Sequence, residues 1–183
     1  NNKECIYFTG NSLGLQPKSA KSYIEQELED WKNLGVEGHF KSEARPWFHY
    51  HKFGKKALAR LVGALPNEVV AMNNLTSNLH LMMVSFYRPS NERYKILIEG
   101  GAFPSDQYAV ESQIKFHGYD YEEALIELKP RVGEENLRTE DIIDAIDEAR
   151  ESIALVLLPG VQYFTGQWFD IQKITQASHS AGA

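Results

Sequence analysis

The chain has 183 residues, 43% of them hydrophobic and 24% charged, with a net charge of −6. That length carries a real hydrophobic core, and the composition is that of a globular class rather than a disordered one. The acidic balance argues against nucleic-acid binding, which needs a basic face. Cys5 is the only cysteine, so no internal disulfide can form, in keeping with a reducing, cytoplasmic setting. No apolar run reaches membrane-spanning length, and Asn1–Cys5 has no signal-peptide pattern.

In chain order, Cys5–Phe8 reads as a short strand running into Thr9-Gly10-Asn11. Ala20, Tyr23, Ile24, Leu28, Trp31 and Leu34 then recur at helical spacing, with Ser19 as N-cap and Gly35 as stop. Residues 36–49 read as irregular. Tyr50, Phe53, Ala57, Leu58, Leu61 and Val62 predict a second helix ending at Gly63, and Lys52, Lys55, Lys56 and Arg60 form its solvated face. Val69–Met72 reads as a short buried strand, and Thr76 as the cap of a helix with Leu79, Met82, Met83 and Phe86 on one stripe.

From Tyr94 the rhythm becomes strand, helix, strand, helix. Lys95–Ile98 is a strand, and Pro104–His117 a helix with proline in its favoured first turn. Ala124–Leu128 is a strand, and Thr139 opens a helix bearing Ile142, Ile143, Ile146 and Ala149. Ile153–Leu158 is an apolar strand, and a last helix runs from about Ile171 to Ala181. Alternation of this kind predicts an α/β fold with a parallel sheet. Such a sheet is expected to continue past Ala183, so the chain reads as truncated before the sheet is complete.

Three segments stand where chemistry gathers in α/β proteins, at the carboxyl ends of strands or the starts of helices. Asn74-Leu75-Thr76-Ser77-Asn78 crowds polar groups at a helix N-terminus, a natural phosphate site, though taken alone an ordinary N-cap by Thr76 is the better explanation. Phe103-Pro104-Ser105-Asp106 follows the strand at 95–98. Phe103 there can stack on a flat ring, and Asp106 can keep a pyridine nitrogen protonated; core packing and service to the helix dipole are the blander readings. Leu158–Gly166 is a polar and aromatic loop after the last strand. None of His39, His49, His51, His80, His117 and His179 sits in a metal-binding spacing, and no metal is expected. His39, beside Gly38, can donate to a substrate or simply be an exposed loop histidine.

Together these residues resemble kynureninase, a pyridoxal 5′-phosphate (PLP) enzyme. The resemblance is carried by Tyr7–Pro17 (with Gly10-Asn11-Ser12-Leu13-Gly14-Leu15), Arg45-Pro46-Trp47, Asn74-Leu75-Thr76, Tyr94–Leu97, Phe103–Asp106 and Tyr163–Gln167. It implies the PLP-dependent transferase fold (fold type I), a three-layer α/β/α arrangement with a mainly parallel sheet, and identifies the chain with the N-terminal part of such an enzyme. It implies hydrolytic Cβ–Cγ cleavage of L-kynurenine or 3-hydroxykynurenine to anthranilate (or its 3-hydroxy form) and L-alanine, a step of tryptophan catabolism and NAD biosynthesis. The cofactor phosphate would meet Leu75 and Thr76. The ring would meet Phe103, and Pro104, Ser105 and Asp106 would complete that side. Ser12 and His39 would line the substrate pocket, which such enzymes share between the subunits of a homodimer; no nucleic acid or membrane is implied as partner.

Residues 1–49 would be an N-terminal segment serving that pocket, and residues 50–183 the first part of the PLP-binding domain. The Schiff-base lysine is expected beyond Ala183, so no catalytic residue is assigned within the chain, and the stretch alone is expected to be inactive. Pro159 stands where relatives often carry Ser or Thr. Alternatives are another enzyme of the fold, such as a cysteine desulfurase or class V aminotransferase, or a fragment that only binds or dimerises.

Overall fold

The computed structural model describes residues 3–43 and 45–183. The chain divides into two compact units, Asn1–Met72 and Asn73–Ala183, a cut that differs from the division at 49/50 read from the sequence.

The first unit is helical. It holds α1 (Ala20–Leu34), a 3-10 turn at Gly35–Glu37, α2 (Gly38–Lys41), a second 3-10 turn at Trp47–His49, α3 (Tyr50–Phe53) and α4 (Lys55–Val62). Two expected strands are absent. Among the described residues, 5–8 and 69–72 form no regular element and no strand pairing, and Ile6, Phe8, Val70 and Met72 are exposed. A strand needs a neighbour to take its N–H and C=O groups, and neither segment has one here. Residues 36–49, read as irregular, contain short helical turns, and the helix expected from Tyr50 to Gly63 is interrupted at Gly54. Ser19 precedes α1 without a side-chain cap bond.

The second unit is an α/β/α sandwich. It contains α5 (Leu75–Phe86), β1 (Lys95–Glu99), α6 (Pro104–Phe116), α7 (Tyr121–Ala124), β2 (Leu125–Leu128), α8 (Thr139–Glu148), β3 (Ile153–Leu157) and α9 (Ile171–Ala181). The strands lie in the order β2-β1-β3, all parallel. β1, with a neighbour on each side, is buried from Ile96 onward. β2 is half-buried throughout, and β3 is half-buried after Ile153.

Alternation along the strands builds two cores. Ile96 and Ile98 face α5 and α6, packing with Met83, Tyr87, Val110 and Ile114. Leu97 faces the other way, toward Ile142 and Ile146 of α8 and Ile174 of α9. The register shifts by one residue between Lys95 and Ile96, which pair with Ile153 and Leu155. This bulge puts Ala154 and Leu155 on the α5–α6 side and returns Val156 to the other.

Candidate functional site

The carboxyl end of β1 is where the second unit gathers its candidate residues. Glu99 closes the strand, and Gly100-Gly101 turns the chain toward α6. Both glycines are required: a Cβ on Gly100 would lie 2.6 Å from the Leu128 carbonyl oxygen, and Gly101 has φ +69. The turn delivers Phe103 to the N-cap of α6, with Pro104 in the first turn behind it. The Phe103 carbonyl accepts from Asp106 N–H at 2.9 Å and Gln107 N–H at 3.2 Å. Asp106 thus sits in the first turn, at the positive end of the helix, and the Ser105 hydroxyl donates to its carboxylate at 3.3 Å.

In the same layer α5 packs along α6, with His80 beside Gln113. Its far end packs against the far end of α6, where Tyr87 and His117 make an edge contact at 5.2 Å. Asn74, not Thr76, is the cap: its side chain accepts from Ser77 N–H at 2.9 Å. Leu75 and Thr76 occupy the first two helical positions, whose N–H groups have no partner within a helix. Among the described residues neither N–H finds another acceptor. Asn78 donates to the Asn73 carbonyl, and its own Oδ1 is buried without a partner. Two free N–H groups at a helix start suit a phosphate dianion.

Phe103 is half-exposed and forms a T-shaped pair with Tyr163 at a centroid distance of 5.0 Å and 80°. Tyr163 belongs to the loop after β3, which buried Gln162 organises. Gln162 Oε1 accepts from Phe164 N–H at 2.6 Å and Thr165 N–H at 2.9 Å, while its Nε2 donates to the Gly101 carbonyl at 3.1 Å. Gln167 bonds the Leu137 peptide in both directions, at 2.9 and 2.6 Å. Two glutamine side chains therefore tie together the loops that follow β1, β2 and β3.

Between these loops lies a small recess of mixed lining, with Glu99, Glu135, Gln162 and Gln167 beside Leu137 and Phe169. Burial pushes the Glu99 carboxyl up, and the nearby Asp106 charge adds to this, against a smaller lowering by its own backbone N–H. A sequence signal for Glu99 existed, a lone carboxylate ending an apolar strand before Gly-Gly. The two glutamines had none, because their partners lie 61 and 30 residues away.

Ser12 and His39 belong to the first unit. Ser12 lies in the turn Thr9–Leu13, where Ser12 N–H and Leu13 N–H both donate to the Thr9 carbonyl. The Tyr7 hydroxyl donates to the Leu13 carbonyl at 2.5 Å. His39 is exposed on α2, edge-on to Trp47 at 5.5 Å. No hydrogen bond joins Ser12 to His39 among the described residues.

His39 rests against Trp47, and Trp47 in turn is bonded to Glu27. The Glu27 carboxylate accepts from Arg45 Nε at 2.8 Å and Trp47 Nε1 at 2.9 Å, and the Arg45 guanidinium lies over the Tyr23 ring. Trp47 packs so close to Gly38 that a Cβ there would lie 2.4 Å from the indole. Burial pushes Glu27 up, but the hydrogen bonds from Arg45, Trp47 and Tyr50 outweigh it and hold the carboxyl below its usual range. Nothing local in the sequence marks Glu27, whose partners are 18 and 20 residues away.

Over 180 residues, 98% of its length, the chain is 61% identical to the kynureninase of Myxococcus xanthus (strain DK1622). The chain resembles kynureninases nearly end to end. It is also 61% identical over 177 residues to the kynureninase of Koribacter versatilis (strain Ellin345), and 53% identical over 180 residues to that of Nematostella vectensis. This kynureninase-like chain covers 42%, 42% and 38% of those three proteins, so it spans about two fifths of their length. No protein-family model matches it. Among solved structures it superposes on the apo cysteine desulfurase of Thermococcus onnurineus NA1 with a TM-score of 0.58 and 17% identity, over 87% of this chain and 39% of that one. The fold is α/β of fold type I, as the resemblance implies.

Proposed function

We propose that the protein carrying this chain is a kynureninase, which uses PLP to cleave the Cβ–Cγ bond of L-kynurenine, or its 3-hydroxy form, by water. The products would be anthranilate, or 3-hydroxyanthranilate, and L-alanine. The observation that carries this reading is 61% identity to a kynureninase along 98% of the chain. The site geometry supports it independently, because the free N–H groups, the half-exposed aromatic ring and the carboxylate are those the cofactor needs.

Leu75 and Thr76 N–H would bind the cofactor phosphate, helped by the positive end of α5. Phe103 would offer its ring to the pyridine ring, and Asp106 would hold a proton at the pyridine nitrogen. Bound there, PLP supplies an electron sink for charge left at the substrate Cα. Pro104 and Ser105 keep Phe103 and Asp106 at the helix start. Ser12 and His39 would bind and orient the substrate, with Trp47 fixing the imidazole and Glu27 fixing Trp47. The active form would be a homodimer in the cytoplasm, and its partner a small molecule. Among the described residues, no helix is long and apolar enough to cross a membrane.

The test uses the protein purified from its source, incubated with L-kynurenine while anthranilate fluorescence and alanine are followed. Equimolar release of both is expected, and borohydride reduction should leave a pyridoxyl group on one lysine. PLP-loaded protein that releases neither product overturns the proposal. The 183-residue stretch alone should bind PLP weakly and release no anthranilate.

A further inference from the structure

Phe103 has a problem that its own element does not solve. Its backbone is fixed, since its carbonyl accepts two N–H groups of α6. Its ring is half-exposed at the end of a Gly-Gly turn, and a ring so placed has several rotamers open to it. A stacking platform must hold one of them. Among the described residues, the aromatic contact that limits the ring is Tyr163, in a T-shaped pair at 5.0 Å.

Tyr163 is itself half-exposed, and its place is set by the loop that carries it. That loop closes on Gln162 in three ways. Gln162 N–H donates to the Gln167 carbonyl at 2.9 Å, and Gly166 N–H donates to the Gln162 carbonyl at 3.0 Å. The Gln162 side chain accepts the N–H groups of Phe164 and Thr165, so the backbone wraps around it just past Tyr163. The remaining end of the same side chain reaches the Gly101 carbonyl, two residues before Phe103. One amide thus spans from the backbone beside one ring to the backbone beside the other. An amide is suited to this, because a carboxylate cannot donate and an alkyl group can do neither.

We propose that Gln162 is a positioning residue: it holds Tyr163 in its T-shaped contact with Phe103 and so fixes the orientation in which Phe103 meets the PLP ring. This rests on the PLP reading above. The role assigned to Gln162 runs through the two aromatic rings and needs no contact with the cofactor. Its role therefore shows in how the cofactor is held as well as in whether the loop is stable.

The experiment compares Q162E, Q162L, Y163L and Y163F with the parent in the whole natural protein. Three quantities are read for each: PLP affinity by titration of the cofactor-free form, circular dichroism in the visible band of bound PLP, and thermal melting of the cofactor-free form. Y163L removes the edge contact but leaves every Gln162 hydrogen bond intact. It should weaken PLP binding by about threefold to tenfold, the worth of one aromatic pair, and alter the visible dichroism with little change in melting. Q162E keeps the two acceptor contacts but loses the bond to Gly101, and should alter the dichroism in the same sense. Q162L should do so and also melt earlier. Y163F, which keeps the ring, should restore what Y163L loses.

The proposal is overturned if Q162L lowers the melting temperature while Y163L and Q162E bind PLP with the parent's affinity and dichroism, for Gln162 is then a loop staple only. If Q162L does not fold, Y163L and Q162E decide by the same readouts. A parent that binds no PLP is a separate result and counts against the proposed function instead.

Discussion

Residues 3–72 and residues 73–183 both carry apolar stripes at regular spacing, yet the two units are held together differently. In the second, Ile96, Leu97, Ile98, Ile142 and Ile146 are all fully buried. In the first, Tyr23, Ile24, Leu28 and Trp31, the stripe of α1, are more than half exposed, and the buried described residues are Gly38, Ser42 and Ala59. Polar contacts hold the first unit instead: Glu27 with Arg45 and Trp47, and Asp30 with Ser42 at 2.6 Å. A periodic pattern thus says which face of a helix is apolar, and not whether the unit containing it buries that face.

The contrast can be broken most directly by truncation. Ile98→Ala should cost about 2–5 kcal/mol, as for a filled core position that cannot collapse. Leu28→Ala should stay within about 0.5 kcal/mol, as for an exposed site. Urea denaturation followed by far-UV dichroism reads both, and equal losses would show that the α1 stripe is buried in solution. Next in size, Glu27→Ala should cost about 1–2 kcal/mol, because it orphans two donors at once. Hydrogen exchange should rise in residues 42–50 and leave β1 protected; loss of protection in β1 would contradict the view that the Glu27 contacts serve the first unit.

A smaller effect, about 1 kcal/mol, is expected for Asn74→Ala, which removes the cap of α5. Leu75 and Thr76 N–H remain, so inorganic phosphate should still compete with PLP in that variant, and abolished competition would place the phosphate elsewhere.

The smallest effect sharpens the comparison by sign. Glu27 is held below its usual value of 4.5, so the unfolded chain takes up its proton first. Its contribution is complete above 4.5 and is lost as pH falls through the lower folded value. Glu99 is raised above 4.5, so its ionised form burdens the fold at neutral pH and the burden lifts as pH falls through the raised value. Glu99→Gln should therefore raise the melting temperature at pH 7 and lose that gain in acid, whereas Glu27→Gln should destabilise at pH 7 and lose the effect in acid. Parallel melts from pH 7 to pH 3 compare the two, and the same sign for both would refute the assignment.

Much of the second unit was legible in the sequence because its information is local. Lys95–Ile98, Pro104–His117 and Ile171–Ala181 match observed elements within a residue, and their alternation implied the parallel sheet. The first unit was less legible. Cys5–Phe8 and Val69–Met72 have the composition of strands but lack a partner, and pairing is a tertiary property. Thr76 was read as the cap where Asn74 serves, because both are capping residues and only the backbone angle at position 74, with ψ 167, decides between them.

By itself the sequence determined the fold class, the order of strands and longer helices in residues 94–183 (though not α7), and the motifs Gly10–Leu15, Asn74–Thr76 and Phe103–Asp106 that carry the resemblance. Those depend on side-chain periodicity and on short runs of residues. Only the tertiary structure decided which N–H groups at α5 stay free, that Glu27 fixes Trp47 beside His39, and that Gln162 joins the backbones beside Phe103 and Tyr163. The first depends on a backbone angle at Asn74; the other two link residues far apart in the chain, and no local pattern constrains a hydrogen bond that spans 20 or 61 positions.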